Sequence, residues 1–174
     1  MTPLDFLYFI MLGAIVVGFV TYQHRRGLLK MLPWFLVLML LSELYAKYLM
    51  LENRATMALY DVVTFLEFIY FSSLYAVQVT SKFNRLLAVV LIGLFVLSEL
   101  LFVFHVPWVK VLDYNILSYF LSSLFLIIIA MSYLLEALRS DNIINFNNNP
   151  MIWVSLGLML YQSSASFFLV ANYF

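Results

Sequence analysis

The chain has 174 residues, of which 66% are hydrophobic, 18% aromatic and only 10% charged. Soluble domains carry roughly 25% charged residues, and with a mean hydropathy of +1.02 this chain has too few charges to cover a soluble globule; it reads as a membrane protein. Nine Lys and Arg balance nine Asp and Glu, so no net basic field exists to hold nucleic acid. Without cysteine there are no disulfides, no cysteine-bound metal clusters and no thiol nucleophile. His24 and His105 stand far apart, outside any HExxH spacing, and no cofactor or metal is expected.

Crossing ~30 Å of hydrocarbon takes ~20 mainly apolar residues. Six segments bounded by charges, Pro and Asn meet that length: Leu4–Tyr22, Leu32–Leu51, Thr56–Gln78, Leu86–Val106, Leu112–Leu138 and Pro150–Phe174. The expected fold is therefore an all-α, polytopic transmembrane helical bundle forming a single domain over residues 1–174. The first segment has Asp5 where a signal peptide carries a basic n-region, and Gln23-His24-Arg25-Arg26 where a cleavage site would lie. It is predicted to be a retained helix. The connections Gln23–Met31, Glu52–Ala55, Val79–Arg85 and His105–Val111 are too short for a folded extramembrane domain. The longest, Arg139–Asn149, is Asn-rich and reads as a loop leading into the sixth span, with Pro150 in the first turn.

Basic residues set the orientation. Arg25, Arg26, Lys30, Lys82, Arg85 and Arg139 fall in the odd-numbered loops, against Arg54 and Lys110 in the even ones and Lys47 inside the second span. Odd loops are expected in the cytoplasm and the N-terminus outside, across a bacterial inner membrane. Trp34, Trp108 and Trp153, with Tyr22, Tyr48, Tyr60 and Tyr75, sit near span ends as an aromatic belt. The chain stops at Ala171-Asn172-Tyr173-Phe174, directly at a span end. Two expectations stay open there: an end at the interface, or a seventh span that would return the C-terminus to the cytoplasm.

Ionisable residues within the hydrocarbon cost ~2.5–3.5 kcal/mol on insertion scales, so each needs a partner or a purpose. Glu43 in span two, Glu67 in span three and Glu99 in span four all fall between the midplane and the outer half, at ~17–20 Å from the cytoplasmic side for Glu43 and Glu99. Glu43 has Lys47 one turn later, the favourable order for a local ion pair. Glu67 shares a helical face with Tyr60, Thr64, Tyr70 and Phe71, which offers hydroxyl donors but no cation. Glu99 has only Phe95, Val96, Phe102 and Val103 around it on its own helix, so its partner must come from elsewhere. Span five supplies Asn115, Ser118 and Ser122 at i, i+3, i+7; span six supplies Ser155, Gln162 and Ser166. Several helices thus place polar atoms in one slab, which predicts a polar mid-membrane cavity lined by Glu67, Glu43, Glu99, Tyr70, Thr64, Asn115, Ser118 and Gln162. Glue between helices is the plainer reading for the Ser, Asn and Gln set; a functional role is the stronger one for the glutamates, Glu67 first. Asp61, Asp113 and Glu136 lie near span ends and are expected to be solvated, and His105 beside Pro107 and Trp108 is expected at the interface.

Ser42-Glu43-Leu44 with Tyr45 and Tyr48, the run Tyr60-Asp61-Val62-Val63-Thr64-Phe65-Leu66-Glu67-Phe68-Ile69-Tyr70, and the run from Pro150 to Ser163 resemble a group of small, about seven-span inner-membrane proteins of Bacteroidota. The resemblance covers most of the chain through soft apolar motifs, and the chain departs from it by stopping where a seventh span would begin. Some members are encoded beside sensor histidine kinases, so the resemblance implies signalling or partner binding, with a sensor kinase among the partners.

Three functions fit these residues. The first is a non-enzymatic sensory or partner-binding module whose cavity takes a lipid or small apolar ligand. The second is an intramembrane lipid hydrolase in the style of lysoplasmalogenases, with Glu67 as base and Glu43 or Glu99 as acid. The third is an accessory subunit of a larger membrane complex. GxSxG and Gly-rich phosphate loops are absent, and no histidine is positioned to serve a serine nucleophile.

Overall fold

Helix boundaries here are set by backbone capping rather than by where charges fall. The computed structural model describes residues 3–22, 27–54, 56–103, 114–139 and 149–173. Within them lie helices α1 (Pro3–Val20), α2 (Leu32–Leu51), α3 (Met57–Gln78), α4 (Lys82–Val103), α5 (Tyr114–Arg139) and α6 (Pro150–Tyr173), with a 3-10 turn at Gly27–Met31 before α2. No strand occurs among the described residues, and the protein is all-α. Four helical stretches are long and apolar enough to cross a membrane: Gly27–Leu51, Ala58–Gln78, Lys82–Leu101 and Ile116–Arg139, with the shorter apolar helix Tyr8–Val20 beside them.

The end of α2 shows how capping works in this chain. Asn53 takes a left-handed conformation (φ 55°), its N–H donates to Met50 O (3.1 Å), and the N–H of Arg54 donates to Leu49 O (2.9 Å). That is the paired pattern of a Schellman stop, with Asn in the position that glycine usually takes. The last carbonyls of an apolar helix are thereby satisfied at a residue where the side chain is already solvated. The expected start of the fourth span needs revision: α4 begins at Lys82 rather than Leu86. Lys82 and Arg85 are charged but compatible with a first helical turn, and the turn leading into it is held by Glu136, as described below.

The chain divides into two compact units, Met1–Val63 and Thr64–Phe174. In the first, α1 and α2 run antiparallel. At one end Gly18 lies against Pro33, so close that a Cβ on Gly18 would stand 3.1 Å from the ring, and Phe19 meets Trp34 edge-on at 5.1 Å. At the other end the Lys47 ammonium lies 5.5 Å from the centre of the Tyr8 ring. The missing side chain at position 18 is what allows the two backbones to approach.

In the second unit the core is aromatic and aliphatic. Phe68, Leu74, Tyr75, Phe95, Leu126 and Ala130 are fully buried. Phe68 packs on Phe95 with ring centres 4.1 Å apart, and Phe125 of α5 joins them at 6.3 Å. In lipid there is little hydrophobic drive to bring helices together, so close packing of this kind and hydrogen bonds between helices hold the unit. The turn from α3 to α4 is clamped by α5. Glu136 Oε1 accepts from the N–H groups of Thr80 (2.7 Å) and Ser81 (2.9 Å) and from the Thr80 hydroxyl, while Oε2 accepts from Asn84 Nδ2 (2.7 Å). Glu136 is therefore not merely solvated at a span end, as expected; it is the acceptor for the turn that leads into α4. The carboxylate comes from another helix because neither Thr80 nor Ser81 caps the turn alone.

Candidate functional site

The polar side chains of the second unit form three separate levels along the helices. Nearest the α3–α4 turn, Tyr75 is fully buried and donates to Ser155 Oγ of α6 (2.9 Å), which in turn donates to its own helix at Met151 O (2.7 Å). Beside it Tyr133 of α5, with ring centres 5.7 Å apart, accepts from Asn149 Nδ2 (3.0 Å). Asn149 also caps α6, its Oδ1 accepting from the Met151 N–H (3.0 Å). Tyr75 thus does not belong to the interfacial belt in which the sequence places it. The rest of the Asn run, residues 145–148, lies outside the described residues.

About 10–12 Å further along, by helical rise, is the level that contains Glu67. The side chain is 5% exposed. Gln162 Nε2 donates to Glu67 Oε1 (2.9 Å), and Ser123 Oγ donates to Gln162 Oε1 (2.7 Å). Three helices, α3, α5 and α6, are joined by one chain of hydrogen bonds that ends on an ionisable group. Thr64 lies one turn away on the same face of α3 and is buried. Tyr70 is half-buried, its ring meeting Phe71 at 5.2 Å and nearly perpendicular.

The third level joins α4 to α5, where the buried Ser118 hydroxyl donates to the half-buried Glu99. Asn115 lies in the first turn of α5, but its side chain is outside the described residues, as are His24, His105, Trp108 and Asp113. Ser122 is buried.

In the first unit the local ion pair between Glu43 and Lys47 is not the arrangement found. The Tyr60 hydroxyl hydrogen-bonds the Glu43 carboxyl, and Lys47 faces the Tyr8 ring. A tyrosine hydroxyl meets a half-buried carboxyl without bringing a second charge out of water, which the lysine would have to do. Arg54 pairs with Glu52 (3.0 Å) at the exposed end of α2, where Tyr48 also donates to Glu52.

The structure therefore gives each candidate glutamate a different neutral partner: Gln162 for Glu67, Ser118 for Glu99 and Tyr60 for Glu43. Among the described residues no group of three His, Cys, Asp or Glu side chains comes together as a metal site. Other hydroxyls stay on their own helices: Ser42, Ser98, Ser132 and Ser164 each donate to a carbonyl three or four residues back, which lets a serine face lipid without an unmade bond. Sequence reading missed Ser123 and Glu136. Ser123 adjoins the Ser118–Ser122 stripe, and a shift of one residue moves a side chain about 100° round the helix, enough to change which neighbour it meets. No family model, curated protein or solved structure matches this chain.

Proposed function

We propose that this membrane protein is a non-enzymatic sensory or partner-binding module of the bacterial inner membrane, with six spans and its N-terminus outside, and that the Glu67 level is its working part. One observation carries the reading: Ser123, Gln162 and Glu67 join three helices through hydrogen bonds that end on a buried carboxyl. A ligand or proton that changes what Glu67 bonds to changes the restraint on α3, α5 and α6 together, and a change in helix packing is what a second membrane protein, such as a sensor kinase, would detect. Hydrolysis by paired carboxylates receives less support, because Glu67 and Glu99 are held by different partners on different levels.

The test is native mass spectrometry of the tagged protein, gently extracted from its own membrane, beside Glu67→Gln. A protein partner or a defined small ligand at fixed stoichiometry, lost or weakened in the variant, supports the reading. A lone chain that turns over lipid, or identical complexes from both proteins, refutes it.

A further inference from the structure

Three basic side chains come together at one end of the second unit. α3 ends at Gln78, α4 starts at Lys82 and α5 ends at Arg139, and the Glu136 clamp ties α5 to the turn between α3 and α4. Arg139 lies one helical turn beyond Glu136 on α5, and Lys82 and Arg85 lie one turn apart on α4, so each pair shares a side of its helix. All three cations are exposed. The Arg85 guanidinium folds back on the turn, where Nη2 donates to Val79 O (3.0 Å); that bond uses one of the five N–H donors a guanidinium carries. The acidic residues near these cations in the sequence are Glu136 and Asp141. Asp141 lies outside the described residues. Glu136 is taken up by neutral donors, the N–H groups of Thr80 and Ser81, the Thr80 hydroxyl and the Asn84 amide, and so fixes the turn around which the cations stand.

Their depth and their neighbours say what these cations can meet. The stretches Ala58–Gln78, Lys82–Leu101 and Ile116–Arg139, each long and apolar enough to cross a membrane, all have an end here, which puts the cations where hydrocarbon gives way to headgroups. Trp153, in the first turn of α6, is exposed at the same end, and indole rings favour that depth. Beside the cations the surface is apolar: Phe83 is 73% exposed, Leu86 63% and Leu138 49%. A soluble anion gains nothing from such side chains. A phospholipid, by contrast, presents a phosphate and its acyl chains at two adjoining depths, and this end of the unit offers cations and apolar side chains in the same arrangement.

We infer that Lys82, Arg85 and Arg139 form a site for the headgroup phosphate of an anionic phospholipid, whose acyl chains lie along Phe83, Leu86 and Leu138. The two arginines can each take phosphate oxygens in pairs, and the lysine adds a point charge. A zwitterionic lipid also carries a phosphate, but it brings a cation of its own into a cluster of three, and the repulsion sets the preference for a net negative headgroup. A lipid held here bridges α4 and α5 beside the turn that Glu136 clamps. None of these residues belongs to the Glu67 level, so the site stands or falls apart from the sensory reading.

The experiment is native mass spectrometry of the full chain released from nanodiscs of equal parts phosphatidylcholine and phosphatidylglycerol, which share acyl chains. The wild-type chain should retain phosphatidylglycerol in preference to phosphatidylcholine. Lys82→Gln, Arg85→Gln and Arg139→Gln should each reduce that preference by about fivefold, and the triple variant should abolish it. Arg54→Gln, an equal change of charge at the end of α2, should leave it unchanged. Should Arg85→Gln fail to fold for want of its bond to Val79, Lys82→Gln and Arg139→Gln carry the same test, with size-exclusion profiles as the folding control. Inorganic phosphate should displace no more lipid than chloride at matched ionic strength. Equal retention of the two lipids by the wild-type chain, an unchanged preference in the triple variant, or an equal loss in Arg54→Gln overturns the inference. So does specific displacement by inorganic phosphate, which would make the cluster a site for a soluble anion.

Discussion

Removing the Glu136 carboxylate should loosen the α3–α4 turn by an amount the geometry sets. One carboxylate accepts four hydrogen bonds: two backbone N–H groups at 2.7 and 2.9 Å, the Thr80 hydroxyl, and Asn84 Nδ2 at 2.7 Å. Bonds to a charged acceptor contribute about 1.5–3 kcal/mol each when buried, but Glu136 is only half-buried, and water will replace part of what is lost. Loss of a helix N-cap costs about 0.5–2 kcal/mol, so Glu136→Ala should cost about 2 kcal/mol, or a fall of about 4–8 °C in Tm. Glu136→Gln should cost about half of that: its carbonyl can still serve Thr80 and Ser81, but its N–H₂ would face the N–H₂ of Asn84. Asn84→Asp in that background restores an acceptor opposite the new donor, whereas Asn84→Asp alone sets two carboxylates against each other. Unfolding by SDS in mixed micelles, followed by tryptophan fluorescence, measures all four corners of this cycle. A loss under about 0.5 kcal/mol for Glu136→Ala, or no recovery in the double variant, would refute the clamp.

Other substitutions separate packing from hydrogen bonding in the same assay. The Ser72 hydroxyl is fully buried and has no partner among the described residues, so Ser72→Ala should be neutral or stabilising by up to about 1 kcal/mol; a clear loss would mean the hydroxyl is satisfied. Gln162→Leu strands both Ser123 and Glu67 and should cost about 1–3 kcal/mol, and adding Glu67→Leu should cost less than the sum of the single changes. Tyr75→Phe removes the bond to Ser155 and should cost about 1 kcal/mol. Gly18→Val puts carbon into the space held by the Pro33 ring and should cost about 1–3 kcal/mol by overpacking the approach of α1 to α2; an unchanged stability would refute the close contact.

Hydropathy and length were sufficient to locate the helices of this chain, because a run of about twenty apolar residues has few alternatives in lipid. Their ends were less legible. Lys82 and Arg85 suggest a loop, yet they belong to α4, entered from a turn whose Thr80 and Ser81 N–H groups are held by Glu136, more than fifty residues away in sequence. The need of Glu99 for a partner on another helix could be read from its apolar neighbours, and Ser118 lay on a visible stripe. Glu67 with Gln162 could not be read as a pair: they are 95 residues apart, and nothing in either helix's pattern fixes their relative rotation. Glu43 shows the opposite failure. An i,i+4 lysine is a strong local signal in water, but at a half-buried site the neutral tyrosine hydroxyl is the less costly partner.

The spacing between levels bears on mechanism. From Tyr75 to Glu67 is eight residues along α3, and from Ser155 to Gln162 seven along α6, about 10–12 Å in either helix. The side chains of that interval are mostly apolar and buried, Phe68, Phe71, Leu74 and Leu158 among them, with the buried Ser72 hydroxyl as an exception. Ordered water requires two to four polar partners apiece, and this interval offers few beyond Ser72. Separate levels, each closed on itself, suit an element that holds helices in register at one depth and yields at another. The Glu67 level ends on a buried carboxyl that joins three helices, so that is where a change in bonding acts on most of the unit. A direct check is hydrogen exchange by mass spectrometry in nanodiscs: Glu67→Gln should alter protection in α3, α5 and α6 around the Glu67 level and leave the Tyr75–Ser155 level unchanged. A response spread evenly through both levels would mean that the unit has no such division.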